Sequence, residues 1–206
     1  MPSLREAFRQ CPIVAILRGV KPDEIVAIGD ALVEAGILII EVPLNSPQPF
    51  DSIARLAARQ GHKALVGAGT VLNAEDVTLV KDAGGQLVVA PNLDADVVRA
   101  AKAIGLAALP GVMTPSEGFA ALKAGADALK LFPAEIIPPA AFKAWRAVFD
   151  PDTLLLAVGG VGVDNIRDYA EAGASGYGIG SALYKPGRPP EEIGKLAKAL
   201  VAALKA

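Results

Sequence analysis

Short apolar runs recur along the chain at near-regular intervals: "IVAIL" at 13–17, "ILII" at 37–40, "ALV" at 64–66, "LVVA" at 87–90, "LAAL" at 106–109, "ALKLF" at 128–132, "LLLAV" at 154–158 and "GYGIG" at 176–180. Each has the length of a buried strand. Amphipathic segments fill the gaps, and most end at a glycine placed for a left-handed C-cap: Gly36, Gly61, Gly84, Gly105, Gly125 and Gly173. The first five of these lie 20 to 25 residues apart, which is one helix, one strand and two short loops. Helix starts are marked at "TPSEGFAALKAG", where Thr114, Pro115 and Glu117 suit a capping box, and at Asp94 and Asp164 as N-caps. Eight β-then-α units without a linker predict an α/β chain folded as a single-domain (β/α)₈ TIM barrel over residues 1–206. Residues 2–10 add a short helix ahead of the first strand. The alternative is an open doubly wound sheet.

Composition narrows the function. The 206 residues are 52% hydrophobic, enough for a substantial core, and 20 Lys plus Arg against 22 Asp plus Glu leave a net charge of −2. Such a balance offers no basic field for nucleic acid and no polybasic segment for a membrane. The longest apolar stretches, such as "LLLAVGGVGV", are glycine-broken and too short to span a bilayer. A single cysteine, Cys11, and a charged opening, "MPSLREAFRQ", fit a reducing cytoplasm.

In such a barrel the chemistry gathers where strands run into the following loops. Those positions hold Arg18 after the first strand, Glu41 at the end of the second, Thr70 after the third, Pro91 and Asn92 after the fourth, and Pro110 and Gly111 after the fifth. Lys130 and Phe132 lie in the sixth, Val158, Gly159 and Gly160 close the seventh, and Gly180 and Ser181 follow the eighth. Alternation sets Lys130 on the same face as Ala128 and Phe132, where a solvated charge is out of place. Either its ammonium snorkels to the barrel mouth or pairs with Glu41, or it is a nucleophile whose amine is kept neutral by burial and by Arg18. Glu41 is correspondingly an ion-pair partner or the proton carrier that imine chemistry needs. The glycine turns "AVGGV" and "GIGS" after the seventh and eighth strands can surround a phosphate with backbone N–H groups. "GAGT" at 67–70 lies across the barrel, where Thr70 can meet a substrate carboxylate. His62, the only histidine, falls between a helix and a strand at the far end, with Cys11, so no imidazole metal site can be assembled. Trp145, Met113 and the remaining aromatics show no stacking array and are assigned to packing.

These motifs resemble the class I 2-keto-3-deoxy-6-phosphosugar-acid aldolases over nearly the whole length: "IVAILRG", "EVPLNSP", "GAGTVL", "APN", "PGV", "ALKLFPAE", "AVGGV" and "GIGSALY". The resemblance implies that Lys130 forms the pyruvate imine, that Glu41 is the general acid/base, and that Arg18 and Thr70 anchor substrate. It also implies a homotrimer without cofactor or metal that cleaves a phosphorylated 2-keto acid reversibly to pyruvate and glyceraldehyde 3-phosphate. "EVPLNSP" and Val158 resemble the enzymes for the galactonate epimer, whereas "LFPAE" is closer to those for the gluconate epimer. Action on 4-hydroxy-2-oxoglutarate, a phosphosugar isomerase or epimerase, and a non-catalytic metabolite sensor are the other readings of this barrel.

Overall fold

The computed structural model describes residues 3–205. A capping box between Ser3 and Glu6 starts α1 (Leu4–Gln10); of the helix expected at 2–10, residue 2 lies outside the described residues. There follow β1 (Ile13–Ile16), α2 (Ile25–Glu34), β2 (Ile39–Pro43), α3 (Pro49–Gln60), β3 (Leu65–Gly69), α4 (Ala74–Asp82), β4 (Leu87–Val89), α5 (Ala95–Ala103), β5 (Ala107–Leu109) and β6 (Gly111–Val112). The chain continues through α6 (Pro115–Ala124), β7 (Leu129–Leu131), α7 (Pro139–Arg146), β8 (Leu155–Val158), α8 (Ile166–Glu171), β9 (Gly176–Ile179) and α9 (Pro190–Ala203). All described strand pairs are parallel, in the order β5-β4-β3-β2-β1-β9-β8-β7-β6.

The two ends of that sheet, β5 and β6, are consecutive in the chain and separated only by Pro110. Proline has no N–H to give to a ladder, so the fifth strand breaks there into two segments, while the Pro110 carbonyl still accepts the Lys130 N–H at 3.0 Å. Nine segments therefore make the eightfold barrel. Period-two alternation separates two buried clusters. Val14, Ile39, Leu65, Leu87, Val89, Leu109, Ala128, Leu156 and Val158 fill the barrel interior, with Ala7 and Phe8 of α1 packed into the same cluster. The alternate residues, among them Ile13, Ile40, Val66, Leu129 and Ile179, join the core between barrel and helices.

Thr114 and Glu117 form the expected capping box, and Asp94 caps α5 through the N–H groups of Asp96 and Val97. Asp164 does not cap α8. The N-cap is Asn165, whose side chain instead accepts the Gly162 N–H and donates to the Gly160 carbonyl, bracing the preceding turn. Gly36, Gly84, Gly105, Gly125 and Gly173 take positive φ as expected; Gly61, at φ −59, remains right-handed. The aromatics also correct the sequence reading: the rings of Phe119, Phe149 and Trp145 stack in series, with centroids 4.3 and 5.1 Å apart. Trp145 is buried, as a packing residue should be, but Met113 is 48% exposed. No helix among the described residues is long and apolar enough to cross a membrane.

Candidate active site

The strands end in a cleft of about 690 Å³. Eight of the residues singled out in the sequence line it: Arg18, Lys130, Phe132, Val158, Gly159, Gly160, Gly180 and Ser181. Lys130 occupies the middle of β7, paired in register with Gly111 on one side and Leu156 on the other. Its interior orientation follows from the strand period, and leaves the side chain only 6% exposed. Burial pushes the amine below the ordinary lysine range; Glu41 opposes that shift and Arg18 adds to it. The Nζ sits 4.7 Å from the centroid of the Phe132 ring.

Glu41 is 2% exposed in β2, level with Ile16 and Gly67 of the neighbouring strands. Its Oε2 is buried without a hydrogen-bond partner. Burial raises the carboxyl to about 7 against the pull of Lys130 and Arg18. Room for that carboxylate comes from the "GAGT" segment, because a Cβ at Gly69 would fall among the Glu41 oxygens. Packing thus explains the glycine, while the next residue does something else. Thr70 has φ +56, a left-handed conformation that β-branched residues avoid, and its Oγ1 lies 3.5 Å from both terminal nitrogens of Arg18. Arg18 is held more closely by Asn45, its NH1 donating to Oδ1 at 2.7 Å.

Gly159 and Gly160 form the turn after β8, with φ +104 and +65. Side chains there are excluded twice, by backbone conformation and by Glu135, whose side chain lies where either Cβ would go. Opposite, the Gly180 carbonyl accepts the N–H groups of Leu183 and Tyr184, each at 2.9 Å, closing a helical turn. The first N–H groups of such a turn have no acceptor within it and are free for an anion.

Glu41 and Thr70 do not line the cleft themselves; Glu41 acts by charge on Lys130 first and then on Arg18, and Thr70 is linked to the cleft by its hydrogen bond with Arg18. Pro91 does not line it; its carbonyl packs where a side chain at Gly111 would project. Asn45 stood inside the quoted motif "EVPLNSP" but was not singled out, and Glu135 inside "LFPAE" likewise; each meets its partner, Arg18 and the turn at Gly159 and Gly160, only in the fold, so the motifs themselves were the available signal. Cys11 is buried, with burial raising its thiol, and among the described residues no cluster of three His, Cys, Asp or Glu side chains could hold a metal ion.

The model of the aldolase family described as KDPG and KHG aldolase matches residues 4–195. The chain belongs to this family. A probable 2-dehydro-3-deoxy-6-phosphogalactonate aldolase of Rhizobium meliloti is 45% identical over 93% of this chain and 91% of its own length. The 2-dehydro-3-deoxy-6-phosphogalactonate aldolase of Escherichia coli is 44% identical over 93% of this chain and 94% of its own. A solved structure described as native KDPGal superposes with a TM-score of 0.93 at 43% identity, covering 95% of each chain. The protein is accordingly an aldolase, a lyase on a (β/α)₈ barrel, and the expected fold and enzyme class both stand.

Proposed function

We propose that this aldolase cleaves 2-dehydro-3-deoxy-6-phosphogalactonate reversibly to pyruvate and glyceraldehyde 3-phosphate through a Schiff base on Lys130. The observation that carries the mechanism is the burial of Lys130 inside the barrel, with its amine pushed toward the neutral form and a buried carboxyl nearby. A neutral Nζ adds to the C2 ketone, and loss of water from the adduct gives the imine. Protonated, this imine withdraws electrons from the C3–C4 bond, so removing the C4 hydroxyl proton releases the aldehyde and leaves an enamine. Protonation at C3 and hydrolysis then free pyruvate and the lysine. Glu41, at about 7, can both take and give protons near neutral pH, and we assign it these transfers. Arg18, fixed by Asn45 and Thr70, pairs with the substrate carboxylate; Gly159, Gly160, Gly180 and Ser181 hold the phosphate.

The epimer rests on the names of the two relatives above and on Val158, which offers the substrate shape but no hydroxyl. The gluconate epimer is the second reading, resting on the likeness of "LFPAE" to the enzymes for that epimer. Comparing kcat/KM for the two purified epimers decides between them. Trapping with pyruvate and borohydride, followed by mass mapping, tests the mechanism: an adduct on Lys130 supports it and an adduct on another lysine overturns it.

A homotrimer is part of the proposal. The large apolar side chains left exposed in the single chain, Leu72, Leu79, Ile104, Met113, Phe119, Ile136, Val148 and Val163, are the surface such an assembly could cover. A head-to-tail contact between such surfaces closes a ring when the rotation allows. Sedimentation equilibrium reports the stoichiometry directly.

A further inference from the structure

The cleft has two anchors far apart in sequence, the Arg18 loop after β1 and the phosphate turn after β9, and one part-buried hydrogen bond between side chains ties them together. Tyr184, 3% exposed, donates its hydroxyl to Glu24 Oε1 at 2.9 Å across 160 residues of sequence. The same oxygen accepts the Lys21 N–H at 3.0 Å, so Glu24 is fixed to the Arg18 loop while it holds the tyrosine. At the other end, the Tyr184 N–H donates to the Gly180 carbonyl, so the tyrosine is the last residue of the phosphate turn itself. A second contact runs parallel: a Cβ at Gly19 would lie 3.0 Å from Pro186 Cγ. The Gly19 N–H in turn donates to Ser46 Oγ at 2.9 Å, in the loop that carries Asn45. Neither the tyrosine hydroxyl nor the Glu24 carboxylate has a part in the imine chemistry.

We propose that Tyr184 and Glu24 are a positioning pair that fixes the phosphate turn against the Arg18 loop and so sets how tightly the phosphorylated end of the substrate is held. Burial and the Glu24 carboxylate both raise the tyrosine, which keeps it a donor throughout the working pH range. Without its hydroxyl the turn at 180–184 loses its only side-chain bond to that loop among the described residues, and the N–H groups facing the phosphate are free to drift. The cost falls on phosphate binding and not on Lys130, which sits on a different strand. This inference rests on the phosphate reading of the two glycine turns.

The test uses the full chain, with inorganic phosphate as a competitive inhibitor and borohydride trapping of pyruvate as an independent measure of imine formation. In Tyr184→Phe the inhibition constant for phosphate and the KM for phosphorylated substrate rise about tenfold, the scale of one hydrogen bond to a charged group, while kcat and the trapping rate hold. Glu24→Ala does the same, whereas Glu24→Gln, whose amide oxygen still accepts from Tyr184 and Lys21, restores binding. An unmoved phosphate constant in Tyr184→Phe overturns the pair, as does an equal fall in trapping and in phosphate binding, which marks a general structural role. Failure of phosphate to compete in the wild type overturns the phosphate reading itself, and the pair with it.

Discussion

Glu41 makes a prediction in which stability and catalysis move in opposite directions. A free glutamate ionises near 4.5, and in this barrel burial holds the carboxyl at about 7. Between those two pH values the folded protein keeps a proton that the unfolded chain has released, so stability falls as pH rises through that window and levels off above it. The size follows from the two end points: on the order of 3 kcal/mol is lost above pH 7 relative to pH 4.5. Glu41→Gln has the same shape and no proton to lose. Its stability relative to wild type should therefore climb by roughly 1.4 kcal/mol per pH unit across the window, whatever constant offset the amide brings. The same variant loses the proton carrier and should turn over about 10²- to 10⁴-fold more slowly while still trapping pyruvate.

Urea unfolding of both proteins at half-unit steps from pH 5 to 8 reads this directly. Protomer concentration is held fixed, because an oligomer's apparent stability depends on it. Parallel curves for the two proteins would show that Glu41 ionises at an ordinary pH in the fold, and the argument for its role as a neutral-pH acid and base would go with them. A diverging pair of curves together with a near-normal rate would leave Glu41 buried and titrating but outside the proton transfers.

Lys130→Arg keeps the charge but cannot be deprotonated, so it should show neither turnover nor a borohydride adduct by mass spectrometry. EDTA should leave the rate of the wild type unchanged in the cleavage assay. A Cβ at Gly180 would meet nothing within 4 Å, so Gly180→Val should fold normally, as judged by thermal melting, and weaken phosphorylated substrate through KM without affecting pyruvate trapping. Gly160 is a poorer probe of the same turn, since φ +65 and the Glu135 side chain make any substitution there a folding defect as well. Val158→Thr should raise kcat/KM for the gluconate epimer relative to the galactonate one, within the roughly 1 to 3 kcal/mol that one group's fit to a pocket is worth; an unchanged ratio removes Val158 from specificity.

What could be read from the sequence was set by local rules. Period two placed Lys130 inside the barrel because a strand has no other way to alternate, the rule that chemistry gathers at strand ends singled out Glu41, and the recurring apolar runs gave the eightfold count. Pro110 splitting the fifth strand follows the same local chemistry, yet only the first half stood out as an apolar run, because Gly111–Val112 is too short to declare itself. The misses share a different cause. Asp164 and Asn165 are equally good N-caps by type, and the choice between them was made by the turn at 160–162 that Asn165 braces. Gly61 stays right-handed although it ends a helix like the others. Tyr184 and Glu24 could not be paired by any spacing rule, because the barrel has to close before residues 160 apart can meet.

The wall of the cleft at Val158 illustrates how far such closure shapes the site. Val158 is paired in register with Gly178 of β9, and a Cβ at that glycine would come within 2.8 Å of Val158 Cγ2. The valine keeps its position because its cross-strand neighbour has no side chain. Threonine has nearly the same shape, so Val158→Thr exchanges a methyl for a hydroxyl without disturbing that fit, whereas Gly178→Ala would force the valine out of its place. The shape of the cleft at this position is therefore a property of the pair of strands. A glycine that reads in the sequence as one more flexible turn residue is, in the closed barrel, what gives Val158 its place.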